Sequence, residues 1–331
     1  MKETLTVDPE HHGIALDRFL GLRFPKVPRA QLRGLLRRGA VRVDGVVRNG
    51  GRTLRRFALV EIDGGEEEWR EREEEAPTFE VLRENPSVLF VSKPPGIAVS
   101  AERWAKEAPH LLGMLRRRYG AEEVGAPLRP RLAHRLDRDT SGVLAVALTT
   151  EAERELRTQF EDREAEKTYL ALVDGEVPGE EGSVDLPIGE DPRRPGRMQT
   201  DPKEGKEAFT AYRVEERFRG FTWLRVRPRT GRTHQVRVHL AARGFPLAVD
   251  PFYGRRKALF LSEIKPGYRR RSGGVEKPLL ARTALHALSL AVRVAGERVE
   301  VEAPLPEDLS RTLRALRRYR PSGGDRFRRR P

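Results

Sequence analysis

The chain has 331 residues, 37% of them apolar and 34% charged, with no cysteine and a formal net charge of +14. The absence of cysteine excludes disulfides, thiolate catalysis and cysteine-ligated zinc or iron–sulfur centres, and suits a reducing cytoplasm. No run approaches the ~20 apolar residues of a membrane span, and MKETLTVDPEHHG lacks a signal-peptide core, so no membrane partner is expected.

The excess charge is gathered at the two ends. Residues 17–56 carry twelve Lys/Arg against two Asp/Glu, and residues 311–331 carry nine arginines against one aspartate. Between them, residues 61–75 hold nine acids and two arginines. Clustered arginine suits the neutralisation of nucleic-acid phosphates, which releases counterions. A solvated basic surface without a partner is the plainer alternative.

In chain order, Ile14, Leu16, Phe19, Leu20 and Leu22 predict one face of a helix, interrupted by the segment Pro25–Pro28. RAQLRGLLRRG predicts a second helix with Leu32, Leu35 and Leu36 inward and Gly39 as its stop. Arg29, Arg33 and Arg37 recur every four residues and form a stripe along one side of it. AVRVDGVV alternates about Asp44-Gly45, a hairpin signal, and RRFALVEI supplies another strand. This basic helix followed by a small sheet resembles the RNA-binding module shared with the small-subunit ribosomal protein S-four. Pro28 stands where that module usually has a serine, although proline also opens helices. The expected division is a small α+β RNA-binding domain at 1–65, an acidic linker at 66–78, a catalytic domain at 79–310 and a mobile basic tail at 311–331.

From Phe79 onward, strands are predicted at VLFV (88–91), VLAVAL (143–148), YLALV (169–173) and FTWLRV (221–226). TTEAERELRTQFE predicts a helix capped by Thr149 or Thr150, with early glutamates that suit its dipole. The strands are too irregularly spaced for repeating βαβ units. The expected class is therefore α+β, with a mixed, largely antiparallel sheet and a central cleft.

Chemistry is concentrated in HRLDRDTSG (134–142), where Asp137 and Asp139 lie among arginines at a strand entrance. A positioned carboxylate of this kind can act as nucleophile or base toward an electron-poor carbon; a turn aspartate paired with arginine is the structural alternative. Asp139 is assigned to salt bridging. Four further segments accompany the motif: VSKPPGIAVS (91–100), EKTYLALVDGEV (166–177), RPRTGRTHQVRVHLAARGFPLAVDPFYG (227–254) and RTALHALSLAV (282–292).

In this order, the five segments resemble the RluA-type pseudouridine synthases from about Phe79 to about Val292. The resemblance implies Asp137 as the essential carboxylate, Tyr169 stacked on the target uracil, and Arg237 paired with the aspartate. It places His134 and Arg135 near the space vacated by a flipped nucleotide. Arg138 and Arg232, with Arg29, Arg33 and Arg37 of the first module, are the further candidate RNA contacts. The reaction breaks the bond from uracil nitrogen to the sugar and re-forms it through carbon five. It involves no redox change, so no cofactor is expected. The target carbon is inaccessible in a stacked helix, so the nucleotide must flip out, at a cost of a few kcal/mol.

The expected activity is isomerisation of uridines in structured RNA, with large-subunit ribosomal RNA as partner, by a cytoplasmic monomer. A non-catalytic RNA-binding or ribosome-assembly factor would use the same basic surfaces. A metal-dependent nuclease would use Asp137, Asp139 and His134. His234 and His239 are five apart, which fits poorly with two ligands on one helical turn, and no metal site is expected.

Overall fold

A computed structural model describes residues 2–24, 29–49, 53–63, 78–101, 109–119, 129–269 and 276–322. The expected helix break at Pro25–Pro28, the acidic segment through residue 77 and residues 323–331 lie outside the described residues. The chain divides into two compact units, Met1–Ala76 and Pro77–Pro331.

In the first unit, β1 (Lys2–Thr6), α1 (Leu16–Arg23), α2 (Arg29–Arg37), β2 (Val41–Val43), β3 (Val46–Val47) and β4 (Leu59–Asp63) follow in order. The strands form an antiparallel sheet in the order β1-β4-β2-β3. Leu16, Phe19 and Leu20 of α1 and Leu32, Leu35 and Leu36 of α2 pack into one core with Val41, Val60 and Ile62. Asp44 and Gly45 take φ of 50° and 75°, the left-handed pair that a tight hairpin between right-twisted strands requires. Leu22 departs from expectation: it is 54% exposed. Six residues beyond Leu16, it has turned about 240° round the helix, away from the buried stripe.

The second unit contains β5 (Glu80–Glu84), β6 (Val88–Lys93), α3 (Leu111–Arg118), β7 (Arg131–Leu132), β8 (Ser141–Ala147), α4 (Thr150–Glu161) and β9 (Glu166–Asp174). It continues through β10 (Glu181–Asp185), β11 (Ile188–Glu190), β12 (Met198–Thr200), β13 (Phe209–Phe218), β14 (Phe221–Pro228) and α5 (Gln235–Ala242). It closes with α6 (Leu261–Ile264), β15 (Leu285–Val294), β16 (Glu297–Glu302) and α7 (Glu307–Tyr319). The large sheet runs β10-β13-β14-β9-β15-β8-β6-β5, with β16 beside β15 and β7 beside β8. Only the β15–β8 pairing in it is parallel among the described residues, so the sheet is mixed and largely antiparallel.

Strand alternation explains the layers. Phe90, Val143, Ala145 and Ala147 face Ala152 and Leu156 of α4, while Leu89, Val91, Leu144 and Val146 face Leu111 and Leu115 of α3. Thr149 is the cap of α4, its hydroxyl accepting from Ala152 N at 3.2 Å. A larger core joins Leu172, Leu224, Val236 and Leu240 to Leu309, Leu313 and Leu316 of α7. That packing corrects the expected mobile tail at 311–331, because the helix runs through residue 319 and buries Leu309, Leu313 and Leu316, four and three apart.

Gly142 is the second residue of β8, and the reason for glycine there is steric. It takes φ of 122°, and a Cβ there would lie 2.1 Å from the carbonyl oxygen of Ala287 across the parallel pairing. Beside it, His286 is fully buried, and burial lowers its pKa to about 4. The neutral ring donates from Nε2 to Ala303 O at 3.3 Å, which leaves Nδ1 to accept from the Ser141 hydroxyl at 3.0 Å. The strand that carries the 134–140 loop is thereby fixed at its first two residues.

Candidate active site

A cleft of about 750 Å³ is lined by the loop before β8, the start of β9 and the segment leading into α5. Asp137, Tyr169 and Arg237, drawn from three distant parts of the chain, all line it. The loop is braced from below by Lys93, the last residue of β6, which is fully buried. Its Nζ donates to the carbonyls of Pro94, Ile97 and Arg138 at 2.8, 2.9 and 2.8 Å. Burial pushes this ammonium down to about 7, against the field of Asp139. The three carbonyls also oppose deprotonation, since a neutral amine has only two protons to offer them. Thr140 N donates to Asp137 O at 3.1 Å and closes the turn.

Arg237 holds the carboxylate. Its Nη1 donates to Asp137 Oδ2 at 2.9 Å, while Nε and Nη2 grip Asp250 in a bidentate pair at 2.7 and 2.9 Å. Burial opposes the guanidinium charge, but the hydrogen bond and field of Asp250, with the field of Asp137, outweigh it and raise the pKa. Asp250 also accepts from the backbone N–H groups of Phe252 and Tyr253 at 2.9 and 3.1 Å. The arginine is thus fixed on its far side, and one edge remains for Asp137. Phe252 and Tyr253 flank its plane at 5.5 and 5.2 Å.

Tyr169 is half-buried on β9, between Val226 of β14 and Ala287 of β15. Burial, then the negative charge of Asp137, push its phenol pKa up. The ring is therefore a neutral wall of the cleft, suited to stacking on a planar base.

Arg135 is exposed at the cleft rim, and Arg232 lines the cleft, its Nε donating to Glu207 O at 3.0 Å. Arg138 is exposed, and its carbonyl serves Lys93. Arg29, Arg33 and Arg37 all lie on α2, with Arg37 exposed.

The expectation for Asp139 needs correction, whereas His134 does lie at the cleft. The histidine's Nε2 accepts from Ala145 N at 2.9 Å and its ring stacks on Phe160 at 4.2 Å. Burial, with the charge of Lys167, lowers its pKa to about 3, so it offers RNA a neutral ring rather than a cation. Asp139 has no ion pair among the described residues; its charge acts on buried Lys93, and its carbonyl accepts from Arg282 at 3.4 Å. The arrangement needed for a nuclease also fails on donor geometry. Among the described residues the one His/Asp/Glu group able to hold a metal ion is Asp8, Glu10 and His11 in the first unit, and Asp137, Asp139 and His134 form none.

Sequence reasoning missed Lys167, Asp250 and Tyr253. Lys167 lines the cleft, donates to Thr230 O at 3.1 Å and is lowered by burial to about 8. Asp250 and Tyr253 stood inside the noted DPFYG segment, yet nothing in the sequence joined them to Arg237.

Comparison with known proteins supplies the family. Residues 87–242 match the family model described as RNA pseudouridylate synthase. The ribosomal large subunit pseudouridine synthase D of Nitrosomonas europaea is 35% identical, covering 95% of this chain and 87% of its own. The chain belongs to the RNA pseudouridylate synthase family. The Escherichia coli ribosomal large subunit pseudouridine synthase C is 34% identical over 96% of this chain and 97% of its own. Among solved structures, human RNA pseudouridylate synthase domain containing 1 is 27% identical, with a TM-score of 0.53 over 72% of this chain and 95% of its own. Human RNA pseudouridylate synthase domain containing 4, at 23% identity and a TM-score of 0.55, shares the fold. Family membership selects the catalytic reading over the assembly-factor alternative. No helix of the described residues is long and apolar enough to cross a membrane.

Proposed function

We propose that this synthase isomerises specific uridines of large-subunit ribosomal RNA, with Asp137 as its essential carboxylate. The observation that carries the proposal is the Arg237 clamp. It fixes one oxygen of Asp137 at 2.9 Å on the wall of a cleft that also contains Tyr169.

The flipped uridine enters with its base against Tyr169 and its sugar toward Asp137. The carboxylate attacks the sugar carbon, attacks the ring, or removes a sugar proton, and each route starts from the same held geometry. The glycosidic bond breaks, the base turns within the cleft, and carbon five bonds to the sugar while its proton departs. The apolar walls contributed by Leu136, Val236 and Leu285 help keep water from the detached base. Retaining glycosidases place a carboxylate against a similar electron-poor sugar carbon but admit water, which this reaction must exclude.

Arg135, Arg138 and Arg232 hold the backbone around the flipped nucleotide, and Arg29, Arg33 and Arg37 of an S-four-like first unit hold RNA outside the cleft. The protein acts as a cytoplasmic monomer and uses no metal. The test maps pseudouridines in ribosomal RNA from cells with and without the gene, then adds purified protein and chelator to the unmodified RNA. The proposal expects sites absent from the deficient cells to be restored despite the chelator. An unchanged map, with no restoration, would refute the ribosomal substrate.

A further inference from the structure

His234 is the unexplained residue of the cleft. It precedes α5 with φ of 56° and ψ of 17°, a left-handed conformation that few non-glycine residues adopt. Its Nε2 lies 3.9 Å from Asp137 Oδ2, the oxygen that Arg237 already holds. Its Nδ1 lies 3.0 Å from the hydroxyl of Tyr253, and that hydroxyl accepts from the backbone N–H of Met198 on β12 at 2.8 Å.

These contacts favour one tautomer of the ring. The Met198 N–H has a proton to give, so the Tyr253 oxygen is an acceptor toward it. The phenolic proton then has His234 Nδ1 as its acceptor among the described residues. With Nδ1 accepting, the proton of the neutral imidazole is on Nε2, the atom facing Asp137. Burial keeps the ring neutral, against the opposing field of Asp137.

Two donors therefore converge on Oδ2. No hydrogen bond from the described residues reaches Oδ1. At 3.9 Å the histidine contact is longer than a hydrogen bond, and catalytic contacts commonly tighten only with substrate bound.

We propose that His234 is a positioning residue: the relay from Met198 N–H through Tyr253 presents its Nε2–H to Asp137 Oδ2, closing on it with substrate bound and leaving Oδ1 to face the nucleotide. The inference rests on Asp137 being the catalytic carboxylate.

The test compares wild type, His234→Asn, His234→Gln and Tyr253→Phe by thermal melting, RNA affinity and single-turnover release of tritium from carbon five of uracil. Asparagine suits the left-handed backbone better than glutamine, but its amide reaches only as far as Nδ1. The glutamine amide nitrogen reaches the position of Nε2. The expected stability order therefore puts Asn at or above Gln, whereas the turnover order reverses, Gln above Asn. His234→Asn and Tyr253→Phe should each lose roughly ten- to a hundredfold in the single-turnover rate, the scale of a misplaced catalytic group. RNA affinity should stay within about twofold, because the relay makes no charged contact with phosphate. A turnover order that follows melting temperature, or a loss confined to RNA affinity, would overturn the positioning role. Failure of the wild type itself to release label would instead overturn the synthase reading on which the inference rests.

Discussion

Arg237→Met measures the worth of the clamp. Arg237 is 4% exposed and the Asp250 side chain is fully buried, so methionine of similar length leaves a carboxylate in the interior without its countercharge. Breaking a buried pair from one side costs about 3–5 kcal/mol. Asp250 retains the N–H groups of Phe252 and Tyr253, both on Oδ1, so the lower end of that range, about 3 kcal/mol, applies. For a unit of this size that corresponds to a melting shift of about 6–12 °C. Asp250→Asn adds a diagnostic reversal. In the wild-type background its new amide donors face the Arg237 donors and destabilise. In the Arg237→Met background the same change keeps the Oδ1 acceptor, removes the stranded charge and restores about 1–2 kcal/mol. Calorimetry of the four proteins provides the assay. If the double variant melts below Arg237→Met alone, the account of a charge-balanced clamp is wrong.

Three other changes probe separate parts of the structure. Gly142→Ala should cost about 4 kcal/mol, because its methyl would meet the Ala287 carbonyl at 2.1 Å; soluble protein melting within a few degrees of wild type would contradict that steric reading. Lys93 carries a pH signature: its folded-state pKa is lowered from 10.5 to about 7, so between those values the unfolded chain binds more protons and stability rises with pH. Relative to Lys93→Met, wild type should therefore gain up to about 1.4 kcal/mol per pH unit above pH 7, and parallel urea-unfolding profiles would refute the shift. Substituting alanine for Arg29, Arg33 and Arg37 together should flatten the salt dependence of RNA binding by about 2–3 in log–log slope, and an unchanged slope would remove α2 from the RNA surface.

The chemistry-bearing segments were readable because each is local. HRLDRDTSG and GRTHQVRVHL announce Asp137 and Arg237 through their resemblance to a family, and the strands announce themselves by short apolar runs. What escaped was non-local. Arg237 meets Asp250 only after α5 and a loop have turned back, and Lys93 finds its third carbonyl 45 residues away at Arg138. The C-terminal helix was hidden by its own composition. Arginines in 311–320 suggested a solvated tail, while Leu309, Leu313 and Leu316 kept a helical period that packs into the core. The requirement for glycine at position 142 is equally non-local, because it comes from β15, a strand some 140 residues away in the chain. Asp139 shows the converse error, since the arginines beside it in sequence did not become its ion-pair partners among the described residues.

The central claim is that one of two aspartates at the mouth of β8 does the chemistry. Single-turnover tritium release from carbon-five-labelled ribosomal RNA, compared between Asp137→Asn and Asp139→Asn at matched RNA affinity, tests it most directly. Asp137→Asn should be silent while still binding RNA, and Asp139→Asn should still turn over. Label release by the Asp137 variant would contradict the account.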